Sequence, residues 1–104
     1  MRVIAYKRLK DYWNRYPEAE ASLQHWCTVV ENADWSTFSD VRNTFRSADQ
    51  VGLGGGSIYI FDIGGNNHRM IAGINYETKI VYVKMIMTHA DYDRGHWRTQ
   101  VTVK

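Results

Sequence analysis

Two hydrophobic periods divide the chain. From Tyr6 onward, Leu9, Tyr12, Trp13 and Tyr16 recur at three- and four-residue spacing, with Lys7, Arg8, Lys10, Asp11 and Asn14 between them. This spacing predicts an amphipathic helix, and the short β-branched run from Arg2 to Ala5 ahead of it suits a strand joining a sheet. Pro17 interrupts the pattern. A proline is tolerated in the first turn of a new helix, and Glu18 and Glu20 suit the positive end of that helix's dipole. A second helix is therefore expected to about Asn32, with Leu23, Trp26, Cys27 and Val30 on its buried face. Two helices joined by a tight break form a hairpin that can cover one face of a sheet.

From Ile58 the pattern becomes strand-like. Ile58 to Ile63, Met70 to Asn75 and Ile80 to Met87 alternate or are continuously apolar over strand lengths, which predicts a three-stranded meander. Gly64-Gly65-Asn66-Asn67 supplies the first turn, with residues that tolerate positive φ, and Asn75 to Lys79 supplies a longer polar one. If the last strand is regular, Tyr82, Lys84, Ile86 and Thr88 share one face and Val81, Val83, Met85, Met87 and His89 the other; a bulge near its end would change that parity. Between Asp34 and Gly56 the signal is weaker. Ser39 is a candidate cap for a short helix through about Phe45, with an ordered loop as the alternative. Gly52-Leu53-Gly54-Gly55-Gly56 lacks the Lys-Ser/Thr of a phosphate-binding loop and precedes no helix. The expectation is a single α+β domain over residues 1–104, an N-terminal helical hairpin packed on one face of a largely antiparallel sheet of about four strands, the other face left open.

Composition narrows the class. With 44% hydrophobic and 13% aromatic residues in 104, the chain can bury one core but not two. No apolar run approaches the roughly 18 to 20 residues that cross a bilayer, and the N-terminus lacks the apolar stretch of a secretory signal, so a cytoplasmic location and no membrane contact are expected. The single cysteine, Cys27, can form no internal disulfide and is read as a core thiol. The net charge of +2 hides an uneven arrangement: residues 1–16 hold Arg2, Lys7, Arg8, Lys10 and Arg15 against Asp11, whereas residues 17–49 are acidic. A basic patch of this kind suits a polyanion such as RNA; a solvated helix face is the alternative.

Candidate chemistry gathers at the end of the last strand, where apolar residues give way to Thr88-His89-Ala90-Asp91-Tyr92-Asp93-Arg94. A histidine beside a tyrosine and a possible orienting carboxylate suits proton transfer. His89, Asp91 and Asp93 are also conceivable metal ligands, a weaker reading because no second ligand cluster accompanies them. His68 and Arg69 are neighbours on a strand and must face opposite ways; Arg69 is the better choice for an anion-facing surface, since its guanidinium grips a phosphate through two donors. Lys84 interrupts an otherwise apolar strand and must reach solvent or a partner. His68, Arg94, His96 and Trp97 complete the candidate RNA contacts, Trp97 by stacking on a base or, alternatively, packing on the sheet end. Self-cleavage of RNA by its 2′-OH needs a proton acceptor, a cation on the phosphate and a donor for the leaving 5′-oxygen, and this strand end can supply all three without metal or cofactor.

Phe61-Asp62-Ile63-Gly64-Gly65-Asn66, His68-Arg69-Met70-Ile71-Ala72, Ile80-Val81-Tyr82-Val83-Lys84 and Met87-Thr88-His89-Ala90-Asp91-Tyr92-Asp93 together resemble the signature of the HigB toxins of type II toxin-antitoxin systems, a branch of the RelE superfamily. The likeness extends back through the Leu9 to Pro17 helix. It implies a RelE-like fold and a ribosome-dependent mRNA interferase that enters the A site and cuts the message there. It also implies a helix-turn-helix antitoxin of the HigA type that neutralises the toxin, the pair together contacting operator DNA. Carried onto matching positions, the phosphate-contacting arginine is Arg69 and the catalytic histidine and tyrosine are His89 and Tyr92. The lysines usual on the preceding strand are missing from Ser57 to Ile63, which brings His89 and Lys84 forward as general base. The competing class is a non-catalytic RNA- or ribosome-binding translation repressor built on the same basic helix and sheet.

Overall fold

The computed structural model describes residues 1–101. Five strands, β1 (Arg2–Ile4), β2 (Asp49–Leu53), β3 (Gly56–Ile63), β4 (His68–Asn75) and β5 (Ile80–Thr88), form one sheet in the order β1-β5-β4-β3-β2. β1 runs parallel to β5 and every other pair is antiparallel. The helices are α1 (Tyr6–Arg15), α2 (Glu20–Glu31), α3 (Phe38–Thr44) and α4 (His89–Arg94). Pro17 opens a single 3₁₀ turn between α1 and α2, where its missing N–H costs no helical bond. None of these helices is long and apolar enough to cross a membrane.

The helical hairpin covers one sheet face as expected. Leu9, Leu23, Trp26 and Val30 meet Phe61, Met70, Val81 and Val83 in a continuous buried cluster, with Trp26 edge-on to Phe61 at 5.5 Å. Cys27 is buried there. α3 is capped by Thr37 rather than Ser39: the Thr37 hydroxyl accepts from the Asp40 amide while the Asp40 carboxylate accepts from the Thr37 amide, the reciprocal arrangement that satisfies two amides at a helix start.

Three expectations need correction. The sheet has five strands rather than four, because the glycine-rich stretch is a hairpin turn: Leu53 pairs with Gly56 across Gly54 and Gly55, whose φ values of 59° and 84° suit a two-residue turn open to glycine. The second face is not open throughout. Ile58, Ile60, Ile71, Met87 and Trp97 form a second buried cluster, against which Tyr92 and Val101 pack, so the segment after β5 folds back over the sheet. Finally, β5 is bulged. Ala72 pairs with Val83 and Ile71 with Met85, leaving Lys84 as the extra residue, so Val83 faces the helices and Met85 and Met87 face the second cluster.

Candidate active site

His68 and Arg69 divide between the two faces. His68 turns to the helices, where its Nδ1 lies 2.7 Å from the Tyr12 hydroxyl and its Nε2 lies 3.3 Å from the Glu18 carboxylate. At 3% exposure it presents no ring edge to an external ligand, which argues against the RNA-contacting place expected for it. Burial pushes the Tyr12 hydroxyl well above its ordinary pKa, with Tyr16, Glu18 and Asp91 adding to the shift. Tyr12 therefore stays a neutral partner.

Arg69 turns to the second face and is 8% exposed. Its Nε lies 3.1 Å from Oδ1 of Asp62, the residue opposite it on β3. One terminal nitrogen donates to the His68 carbonyl and the other to the Asn66 side-chain oxygen. The guanidinium carbon stands 5.8 Å from the centre of the Tyr92 ring, within range of a cation–π contact. A guanidinium has five N–H donors, so one on each terminal nitrogen remains beyond these contacts. Arg69 is thus held in one orientation with donors to spare.

The turn from β5 into α4 brings His89 to the same end of the sheet. Thr88 accepts from the Asp91 amide, capping the helix, and the His89 amide donates to the Asn67 carbonyl at 2.9 Å. That bond ties α4 to the loop carrying Asn66. His89 Nε2 lies 3.2 Å from the Asp93 carboxylate one helical turn on, while its Nδ1 makes no hydrogen bond among the described residues. Asp91 turns instead to Arg94 at 2.9 Å. Of the three residues of the metal reading, Asp91 thus turns away from the His89–Asp93 pair, and no group of three potential ligands gathers among the described residues.

Tyr92 stacks on Trp97 with centroids 5.2 Å apart and planes 9° from parallel. The Trp97 indole donates to the Tyr92 carbonyl and is 2% exposed. Trp97 thus packs on the sheet and props Tyr92, and offers no face to a base. His96 and Arg94 are exposed beside it. On α1, Lys7, Arg8, Lys10 and Arg15 are all exposed. Lys7 pairs with Asp11 at 2.8 Å, Lys10 lies over Tyr6 and Arg15 over Tyr16.

Lys84 is not part of this cluster. Arg69 is opposite Met87, whereas Lys84 bulges between Val83 and Met85, about 10 Å further along the strand at 3.3 Å per residue. Sequence reasoning also passed over Asp62, Asn66 and Tyr12. Asp62 did carry a signal, since it is the one charged residue in the apolar run from Ile58 to Ile63.

The family model described as HigB toxin, RelE-like toxic component of a toxin-antitoxin system, matches residues 19–95. A protein named mRNA interferase HigB from Escherichia coli O6:H1 is 33% identical over 94 residues, 90% of either chain. The mRNA interferase toxin HigB of Escherichia coli K12 is 28% identical over 89% of this chain and 88% of its own. On this match, which spans the hairpin bearing Arg69 and the helix bearing His89 and Tyr92, the chain belongs to the HigB family of RelE-like toxins.

Proposed function

We propose that this toxin is an endoribonuclease that cuts mRNA on the ribosome, in the A site, by attack of the RNA's own 2′-OH, and that a helix-turn-helix antitoxin restrains it and carries it to operator DNA. The observation that supports this most is the Arg69 guanidinium, oriented by Asp62 and Asn66, backed by Tyr92 and set at the same end of the sheet as the His89–Asp93 pair. The remaining Arg69 donors would meet two non-bridging phosphate oxygens and stabilise the charge that builds on them as the phosphorus becomes five-coordinate.

His89 and Tyr92 would divide the proton transfers. One group takes the 2′-hydroxyl proton as the oxygen attacks phosphorus; the other gives a proton to the 5′-oxygen as the P–O5′ bond breaks. The Asp93 carboxylate, 3.2 Å from Nε2, orients the imidazole. Products are a 2′,3′-cyclic phosphate and a 5′-hydroxyl, with no net change in protons. The exposed cations of α1 supply sequence-independent affinity for ribosomal RNA. Induced expression followed by mapping of mRNA ends tests this reading. Discrete new ends in translated messages support it, whereas arrested translation with intact messages would favour a non-catalytic repressor.

A further inference from the structure

Four residues along β4 from Arg69, on the same sheet face, the Lys84 side chain lies across Gly73. A Cβ placed at Gly73 would stand 2.9 Å from Lys84 Cε and 3.7 Å from its Nζ. Gly73 has no left-handed backbone to justify a glycine; what it provides is the room the lysine occupies. The bulge that frees Lys84 from the strand's alternation lies just beyond the end of β1, where α1 takes over as the neighbour of β5. There Arg8 donates to the Lys84 carbonyl at 2.9 Å.

Three clefts meet at Lys84. One of about 480 Å³ lies between Ala5, Arg8 and Val101, one of about 770 Å³ extends over Gly73 past Ser57 and Glu77, and one of about 360 Å³ follows α1 past Arg8 and Arg15. Asp11 also lines the last but is paired with Lys7. Burial first, and the Arg8 charge second, hold the Lys84 ammonium below the ordinary lysine range. Two cations are thus kept together where a groove crosses the sheet edge, with the exposed Tyr82 at its rim.

We propose that Lys84 and Arg8 form a second phosphate subsite, laid over Gly73 and distinct from the Arg69 centre, which holds the backbone of single-stranded RNA to one side of the scissile phosphate. This rests on the RNA-cleaving reading above and adds a substrate contact to it. Gly73 lies about 13 Å from Arg69 at 3.3 Å per residue, so one extended strand can reach both. Two adjacent cations match a phosphodiester, and the Tyr82 ring beside them offers a stacking face for a base, the usual pairing in single-strand sites.

The test is equilibrium binding, by fluorescence anisotropy across a range of salt, of a short single-stranded RNA made uncleavable by 2′-O-methyl riboses. Binding is read without cleavage, so a failure of the nuclease reading would show separately, as intact cleavable message. Lys84→Met is expected to weaken binding three- to tenfold at low salt and to make the salt slope shallower by about 0.7, the value for one phosphate contact on a single strand. Arg8→Met should act in the same direction. Gly73→Ala displaces the flexible end of the lysine and little else, so it should reproduce Lys84→Met but add nothing in a Gly73→Ala/Lys84→Met double variant. An equal further loss in the double variant would overturn the proposal. So would unchanged affinity in Lys84→Met, or no measurable binding by the unsubstituted protein at low salt. Unchanged RNA binding with weakened antitoxin binding would assign these cations to the protein partner and would likewise overturn it.

Discussion

Asp62 and Arg69 are cross-strand partners on β3 and β4, and a 3.1 Å contact between carboxylate and Nε sets the direction of the guanidinium. The arginine is nine-tenths buried and the carboxylate side chain 32% exposed. Asp62→Ala therefore leaves a buried cation short of a partner, at an expected cost of about 1–3 kcal/mol in a urea melt. Asp62→Asn keeps an acceptor toward Nε. If Asp62 positions Arg69, Asp62→Asn should recover most of the cleavage rate that Asp62→Ala loses, whereas a purely structural role would leave cleavage tracking stability alone.

Arg69→Ala should lower cleavage by about 10² to 10³, the usual loss for one donor to developing charge, while the folded protein remains soluble. Arg69→Lys restores the charge without the fork that Asp62, Asn66 and a phosphate share, and should recover little. Full growth arrest by a folded Arg69→Ala protein would remove Arg69 from the site.

On the helix face, Tyr12→Phe removes the hydroxyl facing His68 Nδ1 in a site that is 3% exposed. An orphaned buried polar atom costs about 1–3 kcal/mol, so the variant should unfold at lower urea with an unchanged m-value. The same residue contributes to alkaline behaviour. Because burial raises the Tyr12 pKa from its ordinary 10.0, the unfolded chain releases that proton at lower pH than the folded one, and stability should fall as pH rises above about 10. Tyr12→Phe should flatten that decline.

Cys27 should be inert in the native protein. Burial, with Glu31 as a lesser cause, pushes its thiol up to about 11, and a thiol in that range is a poor nucleophile at neutral pH. Alkylation at pH 8 is expected to follow global unfolding in denaturant; rapid labelling of the folded chain would contradict the packing of α2.

Much of the fold was legible because the apolar period changes sharply between Tyr16 and Ile58 and each turn has its own chemistry. Even the Asp62–Arg69 pair follows from the hairpin, since a four-residue turn from Gly64 to Asn67 pairs Ile63 with His68 and hence Asp62 with Arg69. Strand β2 was hidden by Gly52 and by a glycine turn that reads as a loop. Met85, Ile86 and Met87 face opposite to the regular alternation because the bulge at Lys84 reverses every later facing on β5, and local pattern carries no mark of it. Lys84 itself keeps the face of Tyr82 and is set apart from Arg69 by distance along the strand. The covered second face depended on where Trp97 lands after Gly95, whose φ of 77° turns the chain back onto the sheet. That is a tertiary event beyond the reach of periodicity.

The most direct test is the chemistry of the ends in a message cut during induced expression. Attack by the 2′-OH through Arg69, His89 and Tyr92 is expected to leave a 5′-hydroxyl on the downstream fragment and a 2′,3′-cyclic phosphate or 3′-phosphate upstream, with yield greatly reduced in His89→Ala. A 5′-phosphate and a 3′-hydroxyl would contradict that chemistry and return attention to His89, Asp91 and Asp93 as metal ligands.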